Sequence, residues 1–490
     1  MSFTQRRERS PAMKLLFVGL VAFMLIVPLL MVYALVNDRQ GQAQTAQASI
    51  NEGWGGHQVI SGPIIVVPFR TTQTQNETVD GRSVSKVVEV EKLFYISPVS
   101  NAVSTRIDPQ ERRKSIYRSV LYTAQVKGAA KFALPADLER FGVTRDRLMW
   151  DRAELRMGAS DARGLTTGGK LVAGGTALNV QPGKGPAASG GQGFFAFLDW
   201  KGEGELAVDY EFGLRGARGI SLVPRGGTTT WDVNSAWASP SFNGAVLPDK
   251  PEISRKGFNA HWQVDKLALG QPPVGMADYG APYIPDEVGA EVSRVVKAEA
   301  YAPADAASSA GNVSAGGASE VVEGQSLSLN VNLIEPVNLY SKVDRAVKYG
   351  FLFIGFTFLA FLLFDIVGGA RVAAAEYLLT GAGLVLFFVM LLAFSEVIGF
   401  TWAYLLASGA VIGLLSSYSA AVLKSWKRGR FIAALLLGLY ALLFVLLNLE
   451  AWSLVIGSVL LFVALAGVMY ATRGVDWSAV RHREEGELTA

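Results

Sequence analysis

"LKSWKRGRF", residues 423–431, sets four cations, Lys424, Lys427, Arg428 and Arg430, between two long apolar runs. A cationic turn between apolar runs is the mark of a cytoplasmic loop joining two membrane helices, because Lys and Arg near helix ends are retained on that side during insertion. The runs on either side are "FTWAYLLASGAVIGLLSSYSAAVL" (400–423) and "FIAALLLGLYALLFVLLNL" (431–449). Each exceeds the roughly 20 apolar residues that cross a hydrocarbon core about 30 Å thick or comes close to it.

Working outward, the same reading applies to "YGFLFIGFTFLAFLLFDIVGG" (349–369), "YLLTGAGLVLFFVMLLAF" (377–394) and "WSLVIGSVLLFVALAGVMYAT" (452–472), and near the start to "LLFVGLVAFMLIVPLLMVYALV" (15–36). All six must be helices, since lipid offers nothing to an open backbone. The first reads as an uncleaved anchor. "AQA" (46–48) resembles a cleavage site, but it lies too far beyond a run that is too long for a signal peptide. With the N-terminus inside, the inner segments carry Arg6, Arg7, Arg9 and Lys14, then Arg371, then the quoted four, then Arg473, Arg481 and Arg483. The outer turns "SEVIG" (395–399) and "EA" (450–451) carry no cation. Lys342, Arg345 and Lys348 run against this pattern at the outer end of the second span, but long translocated segments escape the rule.

These boundaries divide the 490 residues into a cytoplasmic N-terminus (1–14), a transmembrane anchor (15–36), a periplasmic β-rich domain (37–348), a bundle of five transmembrane helices (349–472) and a cytoplasmic tail (473–490). Half of the residues are hydrophobic, which suits a membrane protein, and a net charge of +3 gives no reason to expect nucleic acid. The chain contains no cysteine, so the exported part has no disulfide and must rely on its core.

Period two dominates residues 37–348. "ELAVDYEFGL" (205–214) alternates Leu206, Val208, Tyr210, Phe212 and Leu214, and "SLSLNVNLI" (326–334) alternates Leu327, Leu329, Val331 and Leu333, each predicting a half-buried strand. "KVVEVEKLFYI" (86–96), "VLYTAQVKG" (120–128) and "HWQVDKLAL" (261–269) repeat the pattern less cleanly. The expected fold class is a mixed membrane protein whose large domain is a mainly antiparallel, sandwich-like β structure. Short helices are expected at "ADLERFGV" (136–143) and "DEVGAEVSRVV" (286–296). "GKGPAASGGQG" (183–193) and "APADAASSAGNVSAGGAS" (302–319) read as mobile loops, because small polar residues bury too little to offset backbone entropy.

Tests for chemistry return little. "GLTTGGKL" (164–171) puts Leu171 where a phosphate loop needs a hydroxyl, and "GEGELA" (202–207) carries Glu203 and Glu205 where a pyrophosphate would approach. His57, His261 and His482 form no metal-ligand spacing, and no G-x-S-x-G elbow occurs. A meeting of His57 and His261 in space is weighed against ordinary packing, which is the expectation. No catalytic, cofactor-binding or metal-ligating residue is therefore assigned, no cofactor is expected, and the chain reads as a non-enzyme. Asp365, Glu376, Glu396 and Glu450 fall near helix ends, so no ion relay crosses the bundle. Gly409 and Gly413 form a G-x-x-x-G pair expected to pack within the chain.

Motifs spread along the chain resemble the CreD-type inner-membrane family: "GGHQVISGPIIVVPF" (55–69), "RRKSIYRSVLY" (112–122), "SDARGL" (160–165), "SAWASPSFNGAVLP" (235–248), "GFNAHWQV" (257–264), "EPVNLYSKVDRAVKYGFLFIGFTFLAFLLFD" (335–365), "EYLLTGAGL" (376–384), "LAFSEVIGF" (392–400), "LEAWSLVIGS" (449–458) and "TRGVDW" (472–477). The chain departs from the family at Ala373–Ala375, where a His-Pro element is expected, and at Val397, where a His often follows "SE". The resemblance implies a bacterial envelope protein with one N-terminal span, a large periplasmic domain and a C-terminal helical cluster. It implies a role in envelope integrity and stress response without an established enzymatic activity. Expected partners are membrane lipids and a periplasmic protein, glycan or lipid; the alternative is a transporter or lipid-handling protein that uses the helical bundle. Trp237, Pro240, Phe242, Pro248 and Trp262 read as core architecture before a binding groove. The segment 338–348 is expected to be a rigid joint between domain and membrane.

Overall fold

The computed structural model describes residues 11–79, 82–166, 169–284, 321–334, 339–366, 373–448 and 453–473. The first apolar run is helical but broken: α1 (Pro11–Met24) stops one residue before α2 (Ile26–Glu52). Pro28 is the cause, since its ring occupies the space of the carbonyl four residues back and it has no N–H to bond there. Leu25 and Leu29 continue the ladder across the break, with bonds of 3.1 and 3.3 Å to the carbonyls of Val21 and Leu25.

The chain divides into two compact units, one formed by Met1–Thr45 and Val337–Ala490, the other by Ala46–Pro336. In the first unit α3 (Leu339–Lys348) is followed by α4 (Gly350–Ile366), α5 (Ala374–Ile398), α6 (Phe400–Val422), α7 (Trp426–Asn448) and α8 (Ser453–Thr472). Among the described residues five helical stretches are long and apolar enough to cross a membrane, α1 with α2 counting as one and α3 with α4 as another. The cationic stretch 423–431 is mostly helical, and the turn within it shrinks to Leu423, Lys424 and Ser425, with Lys424 at a positive φ of 48°. Lys427, Arg428 and Arg430 sit in the first turns of α7, where the helix dipole disfavours cations.

α3 is amphipathic. It buries Tyr340, Val343, Ala346 and Val347, which share one face at helical spacing. Its polar residues are engaged within the unit: Lys342 Nζ donates to Asn448 Oδ1 at 2.9 Å, Lys348 pairs with Asp344 at 2.6 Å, and the Tyr340 hydroxyl donates to Glu396 Oε1 at 3.0 Å. Glu376 accepts from the Ala373 N–H at 2.7 Å and so caps α5. The expectation for Gly409 and Gly413 fails. Both are exposed on α6, with no described atom within 4 Å of where a side chain would begin. Spacing alone carries no information about which face of a helix meets its neighbours.

The second unit holds two large sheets. One runs β13 (Pro240–Gly244), β19 (Leu329–Leu333), β11 (Gly219–Val223), β1 (Gln58–Val79), β5 (Glu154–Ala159), β9 (Gly193–Phe197) and β8 (Gln181–Pro182). β2 (Arg82–Ile96) also pairs with β1, and β16 (Val274–Gly275) with β2. The other runs β14 (Asp249–Ser254), β15 (Gly257–Val264), β12 (Thr228–Ser235), β3 (Ser100–Lys114), β4 (Tyr117–Phe132), β10 (Leu206–Ala217), β6 (Lys170–Ala173) and β7 (Thr176–Ala177). Most pairs are antiparallel, but β1 with β11 and β3 with β12 are parallel, which requires crossovers. A small third pair joins β17 (Asp278–Gly280) and β18 (Val322–Gln325).

A single core cluster draws Ile60, Phe94, Leu155 and Val331 from the first sheet and Tyr122, Phe212, Trp231 and Trp262 from the second, as a sandwich requires. β10 alternates as expected, burying Leu206, Val208 and Tyr210 and exposing Ala207 and Asp209. Polar groups that turn inward find partners: the Tyr210 hydroxyl donates to Asn101 Oδ1 and the Trp231 indole to Thr105 Oγ1, both at 2.9 Å. Trp231 and Trp262 stack at 4.8 Å, and Phe242 meets Trp262 edge-on, so the aromatic motif residues are core, as expected. Pro248 is exposed.

Four expectations about this unit need correction. Residues 183–193 form a packed turn: Ala188 and Ser189 are buried, and a side chain on Gly185 or Gly193 would collide with the carbonyl of Gln192 or of Met157. The small residues there serve close backbone approach instead of freedom. The helix expected at 136–143 is only a four-residue 3-10 turn, Leu138–Phe141, and the strand from His261 stops at Val264, where Asp265 caps a single helical turn, Lys266–Leu269. β19 is buried on both faces, although alternation predicts one. Residues 286–296 and 302–319 lie outside the described residues.

Candidate functional site

The second face of β19 defines the site. Register places Asn330 opposite Ser221 on one side and Asn243 on the other, and Asn332 opposite Gly219 and Ser241. β1 adds Val59 opposite Ser221, with His57 and Ser61 two residues to either side on the same face. Four strands distant in sequence thus lay histidine, serine and asparagine side chains on one surface, turned away from the core that Ile220, Leu329 and Val331 enter.

His57 reaches this surface by a turn at Gly55, whose φ of +103° admits few other residues. Its Nε2 lies 2.7 Å from Ser221 Oγ. Burial holds the imidazole down at about 4, so it is neutral near pH 7. A side chain built on Gly219 would begin 2.6 Å from Asn332 Oδ1 and 2.8 Å from His57 Nδ1, so both atoms converge on one point beside the glycine. His57 Nδ1, Ser61 Oγ, Asn243 Oδ1, Asn332 Oδ1 and both amide atoms of Asn330 are buried with no hydrogen-bond partner among the described residues. Asn330 and Ser221 are fully buried. Unmet polar atoms normally cost about 1–3 kcal/mol each, so this concentration on one sheet face is the unusual feature of the domain.

Ser221 beside His57 has the spacing of a nucleophile and its base. The surroundings do not suit that role. β11 is paired on both sides, which commits its backbone N–H groups to the ladder instead of an oxyanion, and Ser221 has no exposed surface. The arrangement can exchange hydrogen bonds with an uncharged polar group. Among the described residues no cluster of three or more His, Asp or Glu side chains could hold a metal ion.

His261 is elsewhere. Its Nδ1 lies 2.7 Å from Asp232 Oδ1 on the exposed face of the second sheet, so the two histidines do not meet. That face also carries an open depression of about 470 Å³ with Lys127, Lys170, Asp209 and Glu211 on its walls, where Lys127 pairs with Glu211 at 3.0 Å. Of "GLTTGGKL", the described part leads into β6 and not into a helix, and "GEGELA" is a turn with Gly202 and Gly204 at positive φ before β10. Ser221, Asn243, Asn330 and Asn332 escaped sequence reasoning. One signal was present: the polar positions of "SLSLNVNL" are Ser and Asn without a single charge, whereas solvated strand faces favour Lys and Glu.

Fold and site together define a membrane protein with a large β-rich domain between its first and second spans and an uncharged polar face inside that domain. The sequence model of the family described as "Inner membrane protein CreD" matches residues 10–478. The chain is 29% identical over 466 residues, 93% of its length and 91% of the relative's, to the Inner membrane protein CreD of Escherichia coli (strain K12). It belongs to the CreD family of inner membrane proteins.

Proposed function

We propose that this chain supports cell-envelope integrity as a non-enzymatic binding protein, with its β-rich domain on the periplasmic side and both termini in the cytoplasm. The domain takes an uncharged, hydroxyl- or amide-rich partner, a glycan or an extended peptide, on the face formed by His57, Ser221, Asn330 and Asn332. The observation carrying this reading is the set of buried, unpartnered polar atoms on one sheet face, since such atoms are tolerated where a partner completes them. Orientation is supported by Lys424 in the turn between α6 and α7 and by Lys427, Arg428 and Arg430 in the first turns of α7. The opposing cations Lys342 and Lys348 engage Asn448 and Asp344, so they weigh less than free loop cations.

A second reading, transport or lipid handling by the bundle, is favoured by the hydroxyls of Thr357 and Tyr440, which are buried without a partner among the described residues. Complementation separates the two. In cells lacking the gene, His57→Ala should abolish protection against envelope stress and Thr357→Val should preserve it; the reverse result favours the bundle. Cysteine labelling tests orientation in the cysteine-free chain: with a permeabilised outer membrane, a membrane-impermeant maleimide should reach Leu267→Cys and miss Lys427→Cys until lysis. The opposite pattern refutes the orientation.

A further inference from the structure

We propose that the tip of the β3–β4 hairpin docks on anionic phospholipid headgroups. Arg112, Arg113, Lys114 and Arg118 crowd this tip, and all four are exposed. Ile116 stands 39% exposed at the turn, with Tyr117 beside it. Cations surrounding an apolar tip match an anionic membrane surface, where the charges meet phosphate and the apolar residues enter the interface.

The cations are arranged, not merely numerous. The guanidinium of Arg112 lies 4.2 Å from the centre of the Trp54 ring and that of Arg215 lies 4.9 Å from the same centre. The indole is itself pinned, donating to the Tyr122 carbonyl at 3.2 Å. Arg112, Arg113, Arg118 and Arg215 have no acidic partner within ion-pair distance among the described residues; Glu111 and Glu52 are the nearby acids in sequence, and both are exposed. Two guanidiniums gathered on one ring repel each other, and their planar N–H forks fit a phosphodiester between them.

Chain length keeps the surface within range of the bilayer. The tip packs on the end of α2, with Gln47 Nε2 donating to the Arg118 carbonyl at 2.9 Å and Lys114 Nζ to Ser49 Oγ at 2.8 Å. From Val36, the last residue of the apolar run, to Ala46, where the domain begins, even fully extended chain spans only about 35 Å. The proposal holds on either side of the membrane and is independent of the polar face on the first sheet.

The test uses the full chain, whose lack of cysteine allows a single nitroxide at Ile116→Cys, reconstituted in nanodiscs of phosphatidylcholine with or without phosphatidylglycerol. With phosphatidylglycerol, the label should lose access to a soluble nickel chelate and gain access to oxygen, while a label at Leu267→Cys stays aqueous. Arg113→Ala and Arg118→Ala, both surface changes, should each lower the docked-to-free ratio about fivefold, and Arg113→Lys should keep most of it. Equal aqueous access in both lipids overturns the proposal. So does an equal response to soluble glycerol phosphate in phosphatidylcholine discs, which would mark a free-anion site.

Discussion

Acidification should loosen the first sheet through His57 before it affects the second. The imidazole is held at about 4 by burial, against an ordinary value of 6.5. Because the fold favours the neutral ring, the unfolded chain binds the extra proton first, and stability falls as pH drops from 6.5 towards 4. Above 6.5 both states are neutral and the group contributes no pH dependence. Across the full window the loss is about 3 kcal/mol, and at pH 5 it is about 2 kcal/mol, or roughly thirtyfold in an opening equilibrium. Hydrogen exchange read by mass spectrometry on peptides covering 219–223 and 329–333, corrected for intrinsic rates, should show that loss of protection in the wild type. His57→Gln, which keeps an amide near the position of Nε2 without a titrating group, should lack it. Carboxylates titrate in both proteins, so the difference between the two is the measurement. Parallel curves for wild type and variant would refute the account of His57 as a buried neutral ring.

Three further substitutions test the packing. Trp262→Ala removes one of two stacked, fully buried indoles and should cost about 3–5 kcal/mol in denaturant unfolding of the domain. Arg225 and Asp278 form an ion pair at 2.6 Å with side chains only 3% and 4% exposed. Arg225→Met should cost about 3–5 kcal/mol by stranding the carboxylate, and adding Asp278→Asn should recover a part in a double-mutant cycle. Gly219→Ala drives a methyl against Asn332 and His57, and should cost about 1–3 kcal/mol and raise exchange in β11 first.

The spans were legible because run length is a local property; 400–423 corresponds to α6 nearly residue for residue, while α7 begins five residues before 431–449 because the helix takes in Lys427, Arg428 and Arg430. β10 was legible for the same reason, since alternation needs only one strand and one wet face. β19 misled because its second face is also covered, and sequence shows the period of a strand without showing what lies above it. The site was beyond reach for a topological reason. Ser221, Asn243 and Asn330 come from three strands and His57 from the residue just before a fourth, and only the order β13-β19-β11-β1, with its parallel β1–β11 register, sets them together. In 183–193 composition misled outright, because Gly and Ser serve close packing as readily as mobility.

Asn330→Leu separates a polar face kept for binding from one kept for the fold. Both amide atoms of Asn330 are fully buried and unpartnered among the described residues. If they served the architecture, replacing them would cost stability. If they await a partner, Leu removes their desolvation penalty, and the domain should hold or gain about 1–3 kcal/mol, read as roughly 2–4 °C in melting temperature per kcal/mol for a domain of this size. Protection against envelope stress should be lost in the same variant. Such a gain of stability with a loss of function is the usual behaviour of polar groups maintained for recognition. A variant that melts lower yet still protects cells would instead make the asparagine face a structural network, completed by ordered water alone, and would move the search for the binding surface to the charged depression around Lys127 and Glu211.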